Sequence, residues 1–309
     1  MKKDLLSIAD LDRREIENLI EQARRMKKKG MTSLLSGRTL ALLFEKPSLR
    51  TRVSFEMAMY ELGGHSIYLS PEEVGLGKRE GVADVARVLS RYVDGIAART
   101  FSQETLRILA GYSSVPVVNA LSDLEHPCQA LSDLLTIREK KGKLAGLTLA
   151  FIGDGNNVAN SLLLSASLVG MNFRLACPPG YEIKKEVLSK GRKFAALSGS
   201  RIQLTNDPYK AAKGADVIYA DVWVSMGQEA EAEKRRRAFS DYLVDSKLLS
   251  LAKKDVLFMH PLPAHRGEEI SAGLLDDPRS VVFDQAENRL HLQKALLVRL
   301  LPNPKVSGR

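Results

Sequence analysis

An α/β fold with two doubly wound parallel-sheet domains is predicted for this chain of 309 residues. Three observations predict it. Short β-rich runs alternate with helical patterns, the order expected when parallel strands are joined by helices. Several runs are almost wholly apolar rather than alternating, as strands buried on both faces are. The length suits two domains of about 150 residues each. No internal repeat and no low-complexity segment interrupts the alternation.

The elements follow in order. Residues 39–44 form the first β-rich run. Phe55, Ala58, Met59 and Leu62 then fall at i, i+3, i+4 and i+7, a helical face that Gly63-Gly64 ends. After a second run at 66–69, Val82, Val85, Ala86 and Leu89 repeat the helical spacing. Runs at 95–98 and 115–118 follow, then a helix through Leu131, Leu134 and Leu135. The polar stretch Arg138-Glu139-Lys140-Lys141-Gly142-Lys143 is the expected domain break, dividing the chain into residues 1–141 and 142–309. The second domain carries β-rich runs at 147–152, 172–176, 201–204, 217–220, 256–259 and 281–283. A last helical pattern, 286–300, is expected to pack back on the first domain.

Composition narrows the function. The 44% apolar content fills two cores and excludes disorder. Two cysteines are too few for a disulfide scaffold, so a reducing compartment is expected. The opening residues resemble neither a secretory signal nor a transit peptide, and no apolar run is long enough to span a membrane. The expectation is a cytoplasmic chain without a membrane partner. The net charge of +9 suits nucleic acid, an anionic surface or a small anionic substrate. Arg24-Arg25-Met26-Lys27-Lys28-Lys29 and Lys234-Arg235-Arg236-Arg237 are read as solvated runs, and they lack interleaved aromatics. Nucleic acid is therefore not expected.

Ligands of an open α/β sheet bind beyond the carboxyl ends of its strands. After the first strand stands Ser48-Leu49-Arg50-Thr51-Arg52 at a helix start. The free N–H groups of a first turn attract anions, and Arg50 with the hydroxyls of Ser48 and Thr51 suits a phosphate. Arg99 closes a later strand. His126-Pro127-Cys128-Gln129 opens a helix, where an imidazole can donate to a carbonyl oxygen that gains charge. Gly153-Asp154-Gly155-Asn156-Asn157 resembles half a dinucleotide fingerprint. It lacks the third glycine, and no acid ends the next strand, so no nicotinamide cofactor is expected. The two asparagines suit a small polar ligand such as an amino acid. Asp221 ends a strand and suits a cationic amine, while Trp223 suits core packing. His260-Pro261-Leu262-Pro263-Ala264-His265 fixes the backbone at its prolines. No carboxylate or thiolate pair is read at metal spacing from His260 and His265, so no metal site is expected. Cys128 and Cys177 have weak claims as nucleophiles.

Together these motifs resemble the carbamoyltransferase family, on its ornithine branch, over residues 4 to 300. The family's Ser-Thr-Arg-Thr-Arg loop is here Ser48-Leu49-Arg50-Thr51-Arg52, and its His-Pro-x-Gln is His126-Pro127-Cys128-Gln129. The Asp-x-x-x-Ser-Met-Gly loop is complete at Asp221, Ser225, Met226 and Gly227.

The resemblance implies carbamoyl transfer from carbamoyl phosphate to the δ-amine of L-ornithine, giving L-citrulline and phosphate, without cofactor. It implies that Ser48, Leu49 through its backbone, Arg50 and Thr51 hold the phosphate. Arg99, His126 and Gln129 would hold the carbamoyl group, with Arg99, His126 and Thr51 stabilising the tetrahedral intermediate. Asn157, Asp221, Ser225 and Met226 would hold ornithine. Leu262 would offer a carbonyl to the carbamoyl amide, and Arg289 would add a cation. A homotrimer or an assembly of trimers is implied.

Three positions depart from the pattern. Leu49 replaces a threonine, Pro261 stands at the position that usually carries the catalytic cysteine, and Gly75 replaces a Gln or His that reaches a neighbouring subunit. Leu49 also resembles the acylated-ornithine branch, and Pro261 the aspartate branch. A non-catalytic carbamoyl phosphate-binding regulatory protein is a further alternative.

Overall fold

The computed structural model of the chain describes residues 3–77, 79–225, 227 and 229–301. Two compact units emerge, one of Met1–Leu135 with Glu287–Arg309, the other of Thr136–Ala286. Both follow the predicted α/β plan.

The first unit begins with α1 (Arg13–Lys29), whose N-cap Asp12 and third-position Glu15 satisfy each other's backbone N–H groups. Four strands and five helices follow: β1 (Thr39–Phe44), α2 (Leu49–Glu61), β2 (His65–Leu69), α3 (Pro71–Val74), α4 (Val82–Tyr92), β3 (Gly95–Arg99), α5 (Gln103–Tyr112), β4 (Val117–Leu121) and α6 (Pro127–Lys141). The sheet is parallel in the order β2-β1-β3-β4. Its strand order reverses between β1 and β3, the place where such sheets take ligands. Ala41 and Leu43 of β1, Ile96 and Ala98 of β3, and Val85, Leu106 and Leu109 of the helices build one core.

In the second unit the order continues as β5 (Thr148–Ile152), α7 (Asn157–Val169), β6 (Asn172–Ala176), α8 (Lys185–Ser198), β7 (Ile202–Thr205), α9 (Pro208–Ala212), β8 (Val217–Ala220), α10 (Ala232–Phe239), α11 (Ser246–Leu249) and β9 (Leu257–Met259), and α12 (Val282–Leu300) starts here but belongs to the first unit from Glu287 on. The second unit's sheet is parallel in the order β7-β6-β5-β8-β9, so the reversal lies between β5 and β8. Helix α7 is buried through most of its length, which its near-continuous apolar and small residues permit. Trp223 packs in this unit's core, its ring stacked on Phe239 at 6.0 Å between centroids.

Two predicted strands are corrected. The run at 115–118 shifts to Val117–Leu121, because Leu5 bonds to both sides of Val118, through Val117 O and Asn119 N. At 281–283 only a bridge between Ser280 and Phe258 forms before α12 begins at Val282. Val282 joins the core while Phe283 is exposed, so the residues adopt a helical rather than an extended division of faces.

Candidate active site

In the first unit, the carboxyl ends of β1, β3 and β4 bring together the predicted anion groups. Ser48 is the N-cap of α2: its Oγ accepts from Thr51 N at 3.3 Å and donates to Thr51 Oγ1 at 2.9 Å. Thr51 Oγ1 also accepts from Arg289 Nη2 at 2.7 Å. This bond ties the start of α2 to α12. Leu49 occupies the first helical position and is 75% exposed, so its side chain adds little to the unit's core, and its backbone N–H is one of the helix-start donors that have no partner within the helix itself.

Arg99, His126, Gln129 and Arg289 are all buried. Burial, then the positive charges of Arg289 and Arg50, pull Arg99 down to about 10. Burial also lowers Arg50. Every influence on Arg99 opposes its charge, and its Nε finds no hydrogen-bond partner among the described residues. A buried cluster of cations on these terms calls for an anion to complete it. His126 is held well below the ordinary imidazole range by burial, then by Arg289, Arg99 and Lys46. Its ring is therefore neutral at physiological pH and able to donate one N–H to a polarised oxygen. Gln129 is fixed by donating from Nε2 to Asp133 Oδ1 at 2.8 Å.

Arg52 differs from its neighbours in the loop. It lies over the ring of Tyr68, 3.9 Å from the centroid, and pairs with Glu56 at 2.9 Å. Gly75 ends α3 with φ 55°, a left-handed position that favours glycine, and a Cβ there would meet Arg79 at 2.9 Å.

The second unit gathers its polar residues beyond β5, β8 and β9. Asn156 caps α7 through Oδ1, which accepts from Val158 N and Ala159 N at 3.0 and 3.1 Å. Its Nδ2 donates to Asp221 Oδ2 at 2.8 Å. Asn157 begins the helix beside it. Asp221 is buried, which raises its carboxyl above the usual range against the opposing pull of His260 and Asn156. His260 is buried too; its Nδ1 accepts from Leu262 N at 3.0 Å, which leaves the proton on Nε2, facing Glu269 Oε1 at 3.3 Å. The His260 N–H donates to Gln285 Oε1 at 2.9 Å. Pro261 brings no donor and no thiol. Leu262 follows it with φ 56° and a cis bond to Pro263. Ser225 and Gly227 lie on the loop after β8, where Gly227 N donates to Glu229; Met226 lies outside the described residues.

The half-fingerprint is explained by packing. A Cβ at Gly155 would stand 2.5 Å from Ile183 N, and Gly155 N donates to Tyr181 O at 2.8 Å. The close approach that a dinucleotide phosphate would use is taken by the chain's own backbone at 181–183.

One correction concerns the run Lys234-Arg235-Arg236-Arg237. Arg235 is buried, donating from Nη1 to Asp154 Oδ2 at 2.9 Å and to Trp223 O at 3.0 Å, with the Tyr181 ring 5.0 Å away. It anchors the loop that carries Ser225. The signal was present in sequence: Arg235 precedes buried Phe239 by four residues on α10, so they share a face. A second correction concerns spacing near His265. Glu268 and Glu269, three and four residues on, both lie within 4.0 Å of its Nδ1. The role of Glu269 beside His260 had no sequence signal, because a turn of the chain creates it.

Comparisons with known proteins match both parts of the chain. Residues 3–139 match the family described as aspartate/ornithine carbamoyltransferase, carbamoyl-P binding domain. Residues 145–300 match the corresponding Asp/Orn binding domain. The chain is 54% identical over 303 residues to the ornithine carbamoyltransferase of Anoxybacillus flavithermus, covering 97% of this chain and 96% of that one. Among solved structures, the ornithine carbamoyltransferase from Pyrococcus furiosus superposes with a TM-score of 0.93 at 51% identity, covering 96% of each chain. The anabolic ornithine carbamoyltransferase from Campylobacter jejuni gives a TM-score of 0.93 at 42% identity, covering 97% of this chain and 99% of that one.

Proposed function

The chain belongs to the aspartate/ornithine carbamoyltransferase family, and on that premise we propose how its residues divide the work of the reaction. It transfers the carbamoyl group of carbamoyl phosphate to the δ-amine of L-ornithine, giving L-citrulline and phosphate. The observation that carries the assignment of roles is the cluster of buried Arg99 and Arg289 with half-buried Arg50 around the start of α2, beside neutral His126.

Arg50 and the hydroxyls of Ser48 and Thr51 hold the phosphate, with the Leu49 N–H directed by the helix start. Arg99 and His126 donate to the carbamoyl oxygen, and Gln129 to its immediate surroundings, stabilising charge as it develops there. Thr51, oriented by Arg289, spans phosphate and carbonyl. Asp221 receives a cationic amine of ornithine, flanked by Asn157, Ser225 and Met226. The neutral δ-amine attacks the carbonyl carbon; the C–O bond to phosphate then breaks, and the proton leaving nitrogen passes to the departing phosphate. Leu262 contributes through its carbonyl, and Pro261 by shaping that backbone rather than by proton transfer. Neither metal nor covalent intermediate is required by this scheme.

We also propose a homotrimer or an assembly of trimers. An exposed apolar stripe on α2 supports it: Leu49, Val53 and Met57 follow at i, i+4 and i+8, with Ile67 exposed on the edge strand β2. No helix among the described residues is long and apolar enough to cross a membrane; a cytoplasmic setting is our reading. The anabolic description of two similar proteins supports a place in arginine biosynthesis.

The test is an acceptor panel: pure protein with carbamoyl phosphate and ornithine, aspartate or acetylornithine, each product assayed. Citrulline as the principal product is expected. Carbamoylaspartate or an acylated citrulline in its place would favour the branches that Pro261 and Leu49 resemble, and no product would favour a regulatory protein.

A further inference from the structure

The turn after β9 gathers three groups that the proposed reaction does not use. His265 Nδ1 lies 4.0 Å from Glu268 Oε2 and 3.9 Å from Glu269 Oε2. All three atoms fall within 4.8 Å of one another. Local hydrogen bonds set this arrangement. Glu268 N donates to His265 O at 3.0 Å, Gly267 N to Ile270 O at 2.7 Å, and the His265 N–H to Glu269 Oε1 at 2.5 Å. Gly267, with φ 93°, permits the reversal.

A second observation points to a ligand. Glu269 is fully buried, yet its Oε2 has no hydrogen-bond partner among the described residues; Glu268 Oε2 shares that condition. The other oxygens are engaged: Glu268 Oε1 accepts from Arg236 Nε at 3.0 Å, and Glu269 Oε1 faces both the His265 N–H and His260 Nε2. A buried carboxylate oxygen without a donor is costly unless a cation meets it.

We propose that His265, Glu268 and Glu269 form a site for a divalent transition-metal ion. One imidazole and two carboxylates make a donor set that suits zinc, with a fourth position left to water. Donors bound at about 2.1 Å to a tetrahedral ion stand about 3.4 Å apart. The present separations close to that value by rotation of His265 and Glu268, which are exposed and partly exposed.

Zinc titrated calorimetrically into the full chain tests the site, against His265→Ala and Glu268→Gln, whose folding is checked by thermal melts. Saturable binding of one equivalent is expected, weakened at least about tenfold in each variant. No saturable binding, or binding by either variant as tight as that of the parent chain, overturns the site.

Discussion

Arg289 and Thr51 are joined by a 2.7 Å hydrogen bond although they stand 238 residues apart in sequence. The guanidinium fixes the Thr51 hydroxyl, which also accepts from Ser48. One orientation of the α2 cap is thereby selected, with a cation at its back.

Arg289→Ala removes a charged hydrogen bond worth about 2 kcal/mol, and with it a positive charge on the substrate phosphate. We expect kcat/KM for carbamoyl phosphate to fall by about thirtyfold or more. Steady-state kinetics with saturating ornithine check this. Thr51→Val keeps the arginine but loses its acceptor, and should lower kcat as well as raise KM. An Arg289→Ala enzyme with unchanged carbamoyl phosphate kinetics would place that helix outside the site.

Arg50→Ala and Asp221→Ala should separate the two substrates. The first takes away the charge-assisted grip on phosphate and should raise the carbamoyl phosphate KM or abolish turnover. The second removes the carboxylate from the amino-acid side and should act mainly on ornithine. Near-normal turnover in the Arg50 variant contradicts the phosphate assignment. If the Asp221 variant impairs only carbamoyl phosphate binding, Asp221 serves another role.

Where the candidate site residues sit was largely legible because strand ends are local features. The runs at 39–44, 172–176 and 217–220 have the observed bounds of β1, β6 and β8, and candidate polar groups follow the first and the last of them. Apolar continuity marks a buried parallel strand without any knowledge of its neighbours. Phe283 shows where that signal stops: a short apolar run fits a strand and a helix start equally well, and a bridge at Ser280 does not extend it. Charge was legible in amount but not in depth. Arg235 and Arg236 are adjacent in sequence, yet one is buried on Asp154 and the other exposed on Glu268. Contacts such as His260 with Glu269 come from a turn whose closure depends on hydrogen bonds the sequence does not display.

Asp154 provides a pH test of folding. Burial pushes its carboxyl up to about 6 from 3.8, against the pull of Arg235. Between those values the native chain holds a proton that the unfolded chain has lost. Stability from this group is therefore greatest at low pH, falls as pH rises through the window, and is level above about 6. Asp154→Asn lacks the titration. The stability of the parent chain relative to the variant should decline from pH 4 to 6 in denaturant melts. A difference that grows with pH over that range would show that the Arg235 pair dominates burial.

Leu49→Thr tests whether this position acts through its backbone. The side chain is 75% exposed, so shortening it opens no cavity, and the first-turn N–H is unchanged. If that N–H is what meets the phosphate, the carbamoyl phosphate KM should stay within about threefold of the parent, because only an added hydroxyl can alter it. The same variant removes one residue of the exposed Leu49–Val53–Met57 stripe, so it should loosen the association of copies if that stripe is an interface. Kinetics and sedimentation on one preparation thus read two roles at once. A large rise in KM with assembly intact would mean that the leucine side chain itself shapes the phosphate site.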